Sequence, residues 1–557
     1  MASHARAPQH RSSTASFRPA PHNWVAASVV AYIVLSAIMR VWLSYSWNIN
    51  QPYWAPADDG LVVREAIGGV NDYLTITKRP GFSLFLKIVH LSHVPLTIWI
   101  AAAWIAAALA LAWTVQRICG RWLVTAIAFT LAVWCPVGFD AQIGQRAYRG
   151  SILSPAVLLL AAALVAMFVA RSWVSRLAWA LIVGITTGWI WLAKEDSLWI
   201  IPMVLVACIA CVIKTLTSRE RRIAGVLVLL PVLLIPVAGD MAARARSEHF
   251  WGVNLLETRT EGELAGFVSR VYRIEAPNRT YKRWSPDTAI DQALKAAPEL
   301  ENLRPYLMAG MYRENHGDDL GIWGDYLTWQ LRYAISSANG DQWPSQADLQ
   351  QLFARANQQL DDAAARGEIT YDQRFTPGKL VAPISWDDVR DRVLPLVGPA
   401  MLQTLIPREW QAPIVDTRPI TTARAQEVKD TYLAYINENE RPQRHLWAAT
   451  VIERGWVVLA VVGALCAVVG ALLGMIRRHA EAFIAVAFAL YALVYVAAEC
   501  WFLVFLDGDL IWVYAVANAQ PLVVAAVGVA LAAGCMPRAR ASASAPRVRA
   551  RGRHVRG

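Results

Sequence analysis

Residues 24–44 read WVAASVVAYIVLSAIMRVWLS, an almost uninterrupted apolar run that follows a polar N-terminal tail. A helix of about 20 apolar residues crosses the hydrocarbon core of a bilayer, so this run predicts a membrane span. Runs of similar length recur along the chain, which is 56% hydrophobic and only 17% charged. Soluble domains carry about 25% charged residues. The pattern therefore predicts an α-helical polytopic membrane protein.

Basic residues orient these spans, because the short cytoplasmic loops of membrane proteins are enriched in Lys and Arg. Placing Gln116–Arg121, Arg171–Arg176 and Lys214–Arg222 inside predicts about ten spans, with both termini cytoplasmic. These loops and the tails also account for the net charge of +11, so we predict no nucleic-acid partner. The predicted spans are residues 24–44, 96–115, 122–139, 151–170, 177–193, 198–213, 223–239, 449–476, 481–506 and 510–533.

The same reasoning divides the chain into five segments. A large extracytoplasmic domain is inserted between the seventh and eighth spans. The predicted segments are a disordered cytoplasmic tail (1–22), a membrane module (23–239) with a first outer loop (45–80), the extracytoplasmic domain (240–445), the C-terminal transmembrane helices (446–536) and a basic cytoplasmic tail (537–557).

Residues 81–94 are apolar but short, and their assignment decides the topology. If this segment crosses the membrane, three successive basic loops fall outside, against the charge rule. If it lies in the interface, every basic loop falls inside. We therefore predict a juxtamembrane helix over residues 81–94, with a crossing helix as the alternative.

Residues 240–445 carry helix start signals and little strand-like alternation. Ser345 predicts the N-cap of a helix that runs to Arg366. Ser385-Trp-Asp-Asp388 resembles a capping box, with Asp in place of the usual Glu or Gln. Thr421 predicts the start of a helix through Glu440. The domain is therefore predicted to be mostly α-helical.

Two adjacent acids follow the first span, in Tyr53-Trp-Ala-Pro-Ala-Asp-Asp-Gly60. Acids held where a membrane helix meets water are costly unless they have a function or are well solvated. We therefore predict that Asp58 and Asp59 are catalytic, one of them as a general base, and the sequence leaves open which. The alternative is that they only cap a short helix that runs to Ile67.

Further polar residues fall on the same predicted side of the membrane. Arg146, Tyr148, Arg149 and Lys194 are candidates for binding a phosphate, because Arg and Lys bind phosphate oxygens. The alternative is interfacial anchoring, or an ion pair confined to the turn at Lys194. The candidate supporting residues are Asp140, Glu195, Asp196, Glu499, Asp507 and Asp509.

The acids after the first span, followed by Lys78-Arg-Pro-Gly-Phe-Ser-Leu-Phe-Leu86, resemble the pattern of the C-type (GT-C) membrane glycosyltransferases. These include the protein mannosyltransferases and the aminoarabinose transferase of lipid A. In that family an essential acid follows the first transmembrane helix, at the position of Asp58 and Asp59 here. A Lys-Pro-Pro-rich segment then opens a second juxtamembrane helix, and this chain has Arg-Pro-Gly in place of Pro-Pro.

The resemblance covers roughly residues 20–240 and implies a polyprenyl-phosphate sugar donor, with inversion of the anomeric carbon outside the membrane. One departure concerns the second acid that many members carry before the fourth span. Gln145-Arg-Ala-Tyr-Arg149 occupies that region here, and Asp140 lies earlier. Trp191–Trp199 and Trp323–Trp329 look similar to segments of bacterial membrane proteins without an assigned activity.

The expected function is that of an inverting glycosyltransferase at the cell membrane. It would transfer a sugar from a polyprenyl phosphate to a cell-envelope glycan, lipid or protein, on the extracytoplasmic face. No cofactor is assigned, and a divalent cation held by the acids is an open alternative. One alternative is a transporter or flippase of a lipid-linked substrate, a class in which broken helices and internal repeats are common. The other is a membrane scaffold without catalytic activity.

Overall fold

The computed structural model describes residues 21–46, 62, 74–217, 226–408 and 446–536. Asp58, Asp59 and the predicted helix from Thr421 to Glu440 lie outside these residues, as do residues 1–20 and 537–557 of the predicted tails. Helices dominate the described chain, which confirms the predicted helical class.

The membrane part and the inserted domain differ in the length of their helices. The membrane part contains α1 (Pro21–Ser46), α2 (Gly81–Ser92), α3 (Leu96–Cys119), α4 (Trp122–Val133), α5 (Gly150–Val169), α6 (Trp173–Ala193), α7 (Ile200–Thr217) and α8 (Leu230–Trp251). The inserted domain contains α9 (Gly262–Arg273), α10 (Asp287–Ala296), α11 (Arg304–Met308), α12 (Met311–Asn315), α13 (Tyr326–Ala338), α14 (Gln346–Ala365), α15 (Trp386–Asp388) and α16 (Leu394–Gln403). The chain then returns to the membrane as α17 (Leu446–Ile476), α18 (Ala480–Phe502) and α19 (Ala517–Gly534).

Eight helical segments of the described chain are long and apolar enough to cross a membrane. The predicted span at 122–139 corresponds to α4, which has 12 residues, and α2 also has 12 residues. Residues 230–239 of the predicted span at 223–239 lie in α8, which continues through residue 240 without a break. The count of ten spans therefore stays a prediction. The eight candidate spans are Trp24–Ser44, Leu96–Cys119, Gly150–Val169, Trp173–Ala193, Ser197–Thr217, Thr450–Ile476, Ala480–Leu506 and Trp512–Gly534.

Helices α5 and α19 form the centre of the bundle and are its most buried spans. α19 packs against α4, α5, α17 and α18, while α1 lies at the side against α3 and α4. Small residues allow the closest approach: a Cβ added at Gly470 in α17 would lie 2.6 Å from the carbonyl oxygen of Ala530 in α19. Membrane helices commonly associate through such small-residue contacts. The hydrophobic effect does not drive their association, because lipid tails are as apolar as the side chains.

The described part of the inserted domain is mostly helical and contains one small sheet. Ser345 Oγ accepts a hydrogen bond from the Asp348 amide at 3.1 Å and caps α14, and Ser385 caps α15 in the same way. Both predicted caps are confirmed. The sheet is antiparallel, in the order β1 (Arg283–Pro286), β3 (Gly321–Trp323), β2 (Gly317–Asp318).

The inserted domain docks on one end of the bundle through aromatic packing. The buried Trp284 ring of β1 lies 5.1 Å from the Phe505 ring and 6.1 Å from that of Phe502. Gly324 adopts a left-handed φ of 48°, and a Cβ there would overlap the Phe505 ring. Basic residues mark the opposite end, where Arg477 donates to the carbonyl of Gly534 at 3.1 Å.

We predict that Gly470→Val lowers the Tm of the detergent-solubilised protein, because the added side chain forces α17 away from α19. Overpacking of this kind costs about 1–3 kcal/mol. Gly455→Val is the matched control in the same helix, since a Cβ there meets no atom within 4 Å. A Tm that falls equally in the two variants would contradict this packing account.

Candidate functional site

The described polar residues at the docked end form two neighbouring clusters. Asp58 and Asp59 lie outside the described residues, so their role stays a prediction. Residues 194–196 form the turn between α6 and the next span, and both clusters include part of it. We name them the Glu195 cluster (Lys78, Arg149, Glu195, Arg259 and Asp325) and the Glu499 cluster (Lys194, Asp196, Tyr495, Glu499 and Asn518).

Glu195 is a buried carboxylate on which three cations converge. Its Oε2 accepts a hydrogen bond from Arg149, and its Oε1 lies 3.7 Å from Lys78 Nζ and 3.5 Å from Arg259 Nη1. The side chain of Glu195 is only 5% exposed, and Lys78 and Arg149 are buried as well. Buried charges are costly unless they are paired with good geometry. The pairing therefore fixes where these four side chains lie.

The three cations come from three separate parts of the fold. Lys78 precedes α2, Arg149 is the N-cap residue of α5, and Arg259 lies shortly before α9. The turn that carries Glu195 is fixed by Ser197, whose Oγ donates a hydrogen bond to the carbonyl of Ile190 at 2.7 Å. The amino end of a helix carries a partial positive charge, so the start of α5 adds to the positive potential at Arg149.

The cations determine the protonation state of Glu195. Burial alone would raise its pKa, but the charges of Arg149, Lys78 and Arg259 outweigh burial and hold the pKa well below its ordinary value. Glu195 is therefore an anion at neutral pH.

The Glu195 cluster gathers three cations in one largely buried place. Arg259 also pairs with Asp325, so the ion pairs among the described residues join three cations to two carboxylates. Charged N–H donors held at fixed positions form strong hydrogen bonds to oxyanions. The cluster is therefore suited to binding an anion.

Tyr148 brings a second guanidinium close to the Glu195 cluster. The Arg146 and Arg149 guanidinium carbons lie 4.7 Å and 4.8 Å from the centre of the Tyr148 ring, and the Tyr148 hydroxyl accepts a hydrogen bond from Arg149. The structure thus groups these three residues, which the sequence selects as phosphate ligands, beside Glu195. One planar guanidinium group can donate two hydrogen bonds to two oxygens of the same phosphate.

A second buried acid, Glu257, shapes the segment that carries Arg259. Its carboxylate accepts the backbone N–H groups of Arg259 at 2.6 Å and Thr260 at 2.9 Å. Burial, and then the negative charge of Glu195, raises the pKa of Glu257 above its ordinary value. Glu257 therefore positions the backbone from which Arg259 reaches Glu195.

An adjoining ion-pair network ties the segment before α2 to α6, to α8 and to the inserted domain. Arg79 donates to the carbonyl of Trp191 at 2.7 Å and lies 3.5 Å from Glu261. Arg244 bonds both Asp240, at 2.7 Å, and Glu261, at 2.9 Å. These contacts hold in place the segment that carries Lys78.

The Glu499 cluster lies on the other side of the turn. Lys194 Nζ is 2.5 Å from Asp196, and Asn518 donates to the Tyr495 hydroxyl at 2.8 Å. Burial would lower the pKa of Lys194, but the charges of Asp196 and Glu499 outweigh it and raise the pKa. Lys194 is therefore a cation whose nearest anion is its neighbour in the turn. The role of Lys194 as a ligand of the donor phosphate stays a prediction.

Of the three remaining predicted acids, two have partners among the described residues and the third is exposed. Asp140 Oδ1 accepts the backbone N–H of Gln142 at 2.8 Å, and burial raises the pKa of Asp140. Asp507 pairs with Lys282 of the inserted domain, and Asp509 is exposed. Asp507 therefore lies where the domain meets the bundle.

Arg259, Asp325 and Glu257 were not predicted from the sequence, and Lys78 was noted only as part of a motif. Arg259 lies 64 residues from Glu195 along the chain, and no spacing rule connects the two. The only local signal is the density of polar residues in Glu257-Thr-Arg-Thr-Glu261.

Metal binding can be assessed only for the described residues. Within them, no group of three or more His, Cys, Asp or Glu is placed to hold a metal ion. His316, in a run that resembles a metal loop, stacks on Tyr326 with the ring centres 3.6 Å apart. A divalent cation at Asp58 and Asp59 stays an open alternative.

We predict that Glu195→Gln lowers the free energy of unfolding by about 3–5 kcal/mol at neutral pH, because it leaves buried cations without their shared anion. Asp391→Asn is the control; it breaks an exposed ion pair with Arg390 and should have little effect. The measurement is Tm in detergent against pH.

The pH dependence follows from the depressed pKa of Glu195. Its contribution is complete above the pKa of an unfolded glutamate, about 4.3, and is lost as pH falls through the still lower folded value. The difference between wild type and Glu195→Gln should therefore be constant from about pH 5 to 8 and shrink below about pH 4. A difference that grows on acidification would contradict the charge assignment.

Comparison with known proteins gives structural likeness alone. No protein-family model matches the sequence, and no curated protein sequence matches it. The chain is similar to the crystal structure of ArnT from Cupriavidus metallidurans in the apo state, with 13% identity and a TM-score of 0.31, over 91% of this chain and 78% of that one. The crystal structure of the same ArnT bound to undecaprenyl phosphate is similar at 13% identity and a TM-score of 0.28, over 92% of this chain and 78% of that one.

Proposed function

We propose that this integral membrane protein is an inverting glycosyltransferase that uses a polyprenyl-phosphate-linked sugar. The observation that carries the proposal is the convergence of Lys78, Arg149 and Arg259 on the buried Glu195 carboxylate, where the bundle meets the inserted domain. The phosphate of a lipid-linked sugar is an anion that such cations bind. The basic loops at the other end of the bundle favour an extracytoplasmic site.

The donor phosphate would bind between Lys78, Arg149 and Arg259. Arg149 offers two N–H groups in one plane for the phosphate oxygens, and Lys78 supplies a compact charge. Glu195 holds the three cations together before the donor arrives. When the phosphate binds, the cations divide their hydrogen bonds between it and Glu195, so little reorganisation is needed.

The polyprenyl tail needs an apolar path that begins at the phosphate. Helix α2 starts three residues after Lys78 and exposes apolar side chains, with Ile88 53% and Leu91 75% exposed. Such side chains on a membrane protein face lipid, so the tail can leave the site along α2. The charged phosphate of the donor would thus lie at the buried cations, and its apolar tail would lie along the apolar surface of α2.

The reaction is a displacement at the anomeric carbon of the donor sugar. Asp58 or Asp59 takes the proton from an acceptor hydroxyl, whose oxygen then forms the new bond to that carbon. The bond from the carbon to the phosphate oxygen breaks, and its electron pair stays with the polyprenyl phosphate. Lys78, Arg149 and Arg259 stabilise that leaving group, and attack from the opposite face inverts the configuration.

The test is sugar transfer or donor hydrolysis by the purified protein with a panel of radiolabelled polyprenyl-phosphate sugars. We expect Asp58→Asn/Asp59→Asn to abolish turnover while donor binding is kept, because the base is lost. Arg149→Ala should reduce donor binding by about tenfold or more, since a charge-assisted contact contributes about 1.5–3 kcal/mol.

Arg390→Ala is the matched control for Arg149→Ala, because Arg390 is an exposed arginine of the inserted domain whose partners are Asp387 and Asp391. It should bind and turn over the donor as wild type does. Full activity in the double aspartate variant would overturn the proposed mechanism. Equal donor binding by Arg149→Ala and Arg390→Ala would show that the donor phosphate does not bind at the Glu195 cluster.

A further inference from the structure

The inserted domain contains an open groove that the proposed donor site does not use. Its volume is about 540 Å³, within the range of roughly 300–1,000 Å³ typical of ligand sites. One face of α9 forms one wall, and the segment 371–380 forms the other. We call this cavity the domain groove.

Small residues of α9 make room for the domain groove. Gly262, Ala265 and Gly266 line it, and Ser269 and Arg273 continue the same wall. These positions recur every three or four residues, so they lie on one face of the helix. The hydroxyl of Ser269 donates to the carbonyl of Lys379 at 2.8 Å and joins the two walls.

The domain groove is positively charged. Of its cations, Arg270 pairs with Asp361, whereas Arg273 donates to the carbonyl of Asp372 at 3.3 Å and the hydroxyl of Thr376 at 3.2 Å. These last partners are neutral acceptors and do not cancel the charge of Arg273. Within the described chain, no carboxylate forms an ion pair with Arg273.

The open wall adds a charge and polar groups suited to a sugar. Lys379 and Gln373 are exposed, and the half-buried Tyr371 adds an aromatic side chain to the lining. Within the described residues, no ion pair involves Lys379. Aromatic rings pack on the apolar faces of pyranoses, amides bond hydroxyls, and cations bind carboxylates or phosphates.

The domain groove connects directly to the Glu195 cluster along the chain. Thr260 and Glu261 line it, and Arg259, the residue before them, pairs with Glu195. The Glu257 carboxylate that holds the Arg259 backbone also holds Thr260. A sugar bound beside Thr260 would therefore lie close to the segment that carries Arg259.

We propose that the domain groove binds an anionic oligosaccharide, and that this is the acceptor of the transfer reaction. The acceptor role rests on the proposed function, whereas binding of the oligosaccharide does not. The ligand is a short glycan whose acidic group, a uronate carboxylate or a sugar phosphate, lies between Arg273 and Lys379. Its terminal hydroxyl is directed toward the Glu195 cluster.

The test measures binding of oligosaccharides to the full-length protein in detergent at fixed ionic strength. The probes are tetragalacturonate, its fully methyl-esterified neutral form, and a phosphorylated mannan oligosaccharide, so that carboxylate and phosphate are compared. The variants are Lys379→Glu and Gln373→Glu, both at exposed positions of the groove. Lys295→Glu makes the same charge change at an exposed lysine outside the groove.

We expect wild type to bind at least one acidic probe and to bind the neutral probe much more weakly. Lys379→Glu and Gln373→Glu should each weaken acidic-probe binding by about fivefold or more, because an introduced carboxylate repels the ligand, while Lys295→Glu should not. Equal binding of acidic and neutral probes, equal binding by Lys379→Glu and Lys295→Glu, or no binding of either acidic probe would overturn the proposal.

A donor assay separates this proposal from the proposed function. Lys379→Glu should bind a radiolabelled polyprenyl phosphate as wild type does, and Arg149→Ala should bind the oligosaccharide as wild type does. Groove binding without any sugar transfer would support the oligosaccharide site and count against the transferase. Transfer with an acceptor KM unchanged in Lys379→Glu would overturn the acceptor role of the groove.

Discussion

The burial of one carboxylate, Glu195, among three cations is the constraint on which the candidate site depends. Lys78 comes from the segment before α2, Arg149 from the start of α5 and Arg259 from the inserted domain, and all three reach the same carboxylate. Because leaving any of these charges alone in the interior is costly, the pairing fixes the position of the domain on the bundle as well as that of the side chains. The aromatic contact of Trp284 with Phe505 then completes the docking.

The same pairing explains how a cluster that is stable without a ligand can still bind one. Glu195 keeps three cations at fixed positions around one point, so that their charged donors can be shared with an anion. The network around Glu261 differs in this respect, because its two arginines also bond Asp240 and the carbonyl of Trp191 and so tie several segments together. We therefore associate the binding function with the convergence of the cations on Glu195 and not with burial alone.

Local patterns allowed much of the fold to be predicted, because apolar length and helix caps are properties of short segments. The membrane class, the first span and the caps at Ser345 and Ser385 are of this kind. The site was predicted only in part. Arg149 and Glu195 were selected, since both lie in loops between apolar runs, but they are 46 residues apart and only the packing of α5 against α6 joins them. Arg259 comes from a domain whose docking is set by long-range aromatic packing, and no local pattern indicates it.

The most direct test of the central claim is a cryo-electron microscopy structure of the protein in lipid nanodiscs with a polyprenyl phosphate. The account predicts density for the phosphate within hydrogen-bonding distance of Arg149 and of Lys78 or Arg259, with Glu195 still in contact with at least one of these cations and the tail leaving along α2. A phosphate bound elsewhere on the bundle, with the contacts of Glu195 unchanged, would contradict it.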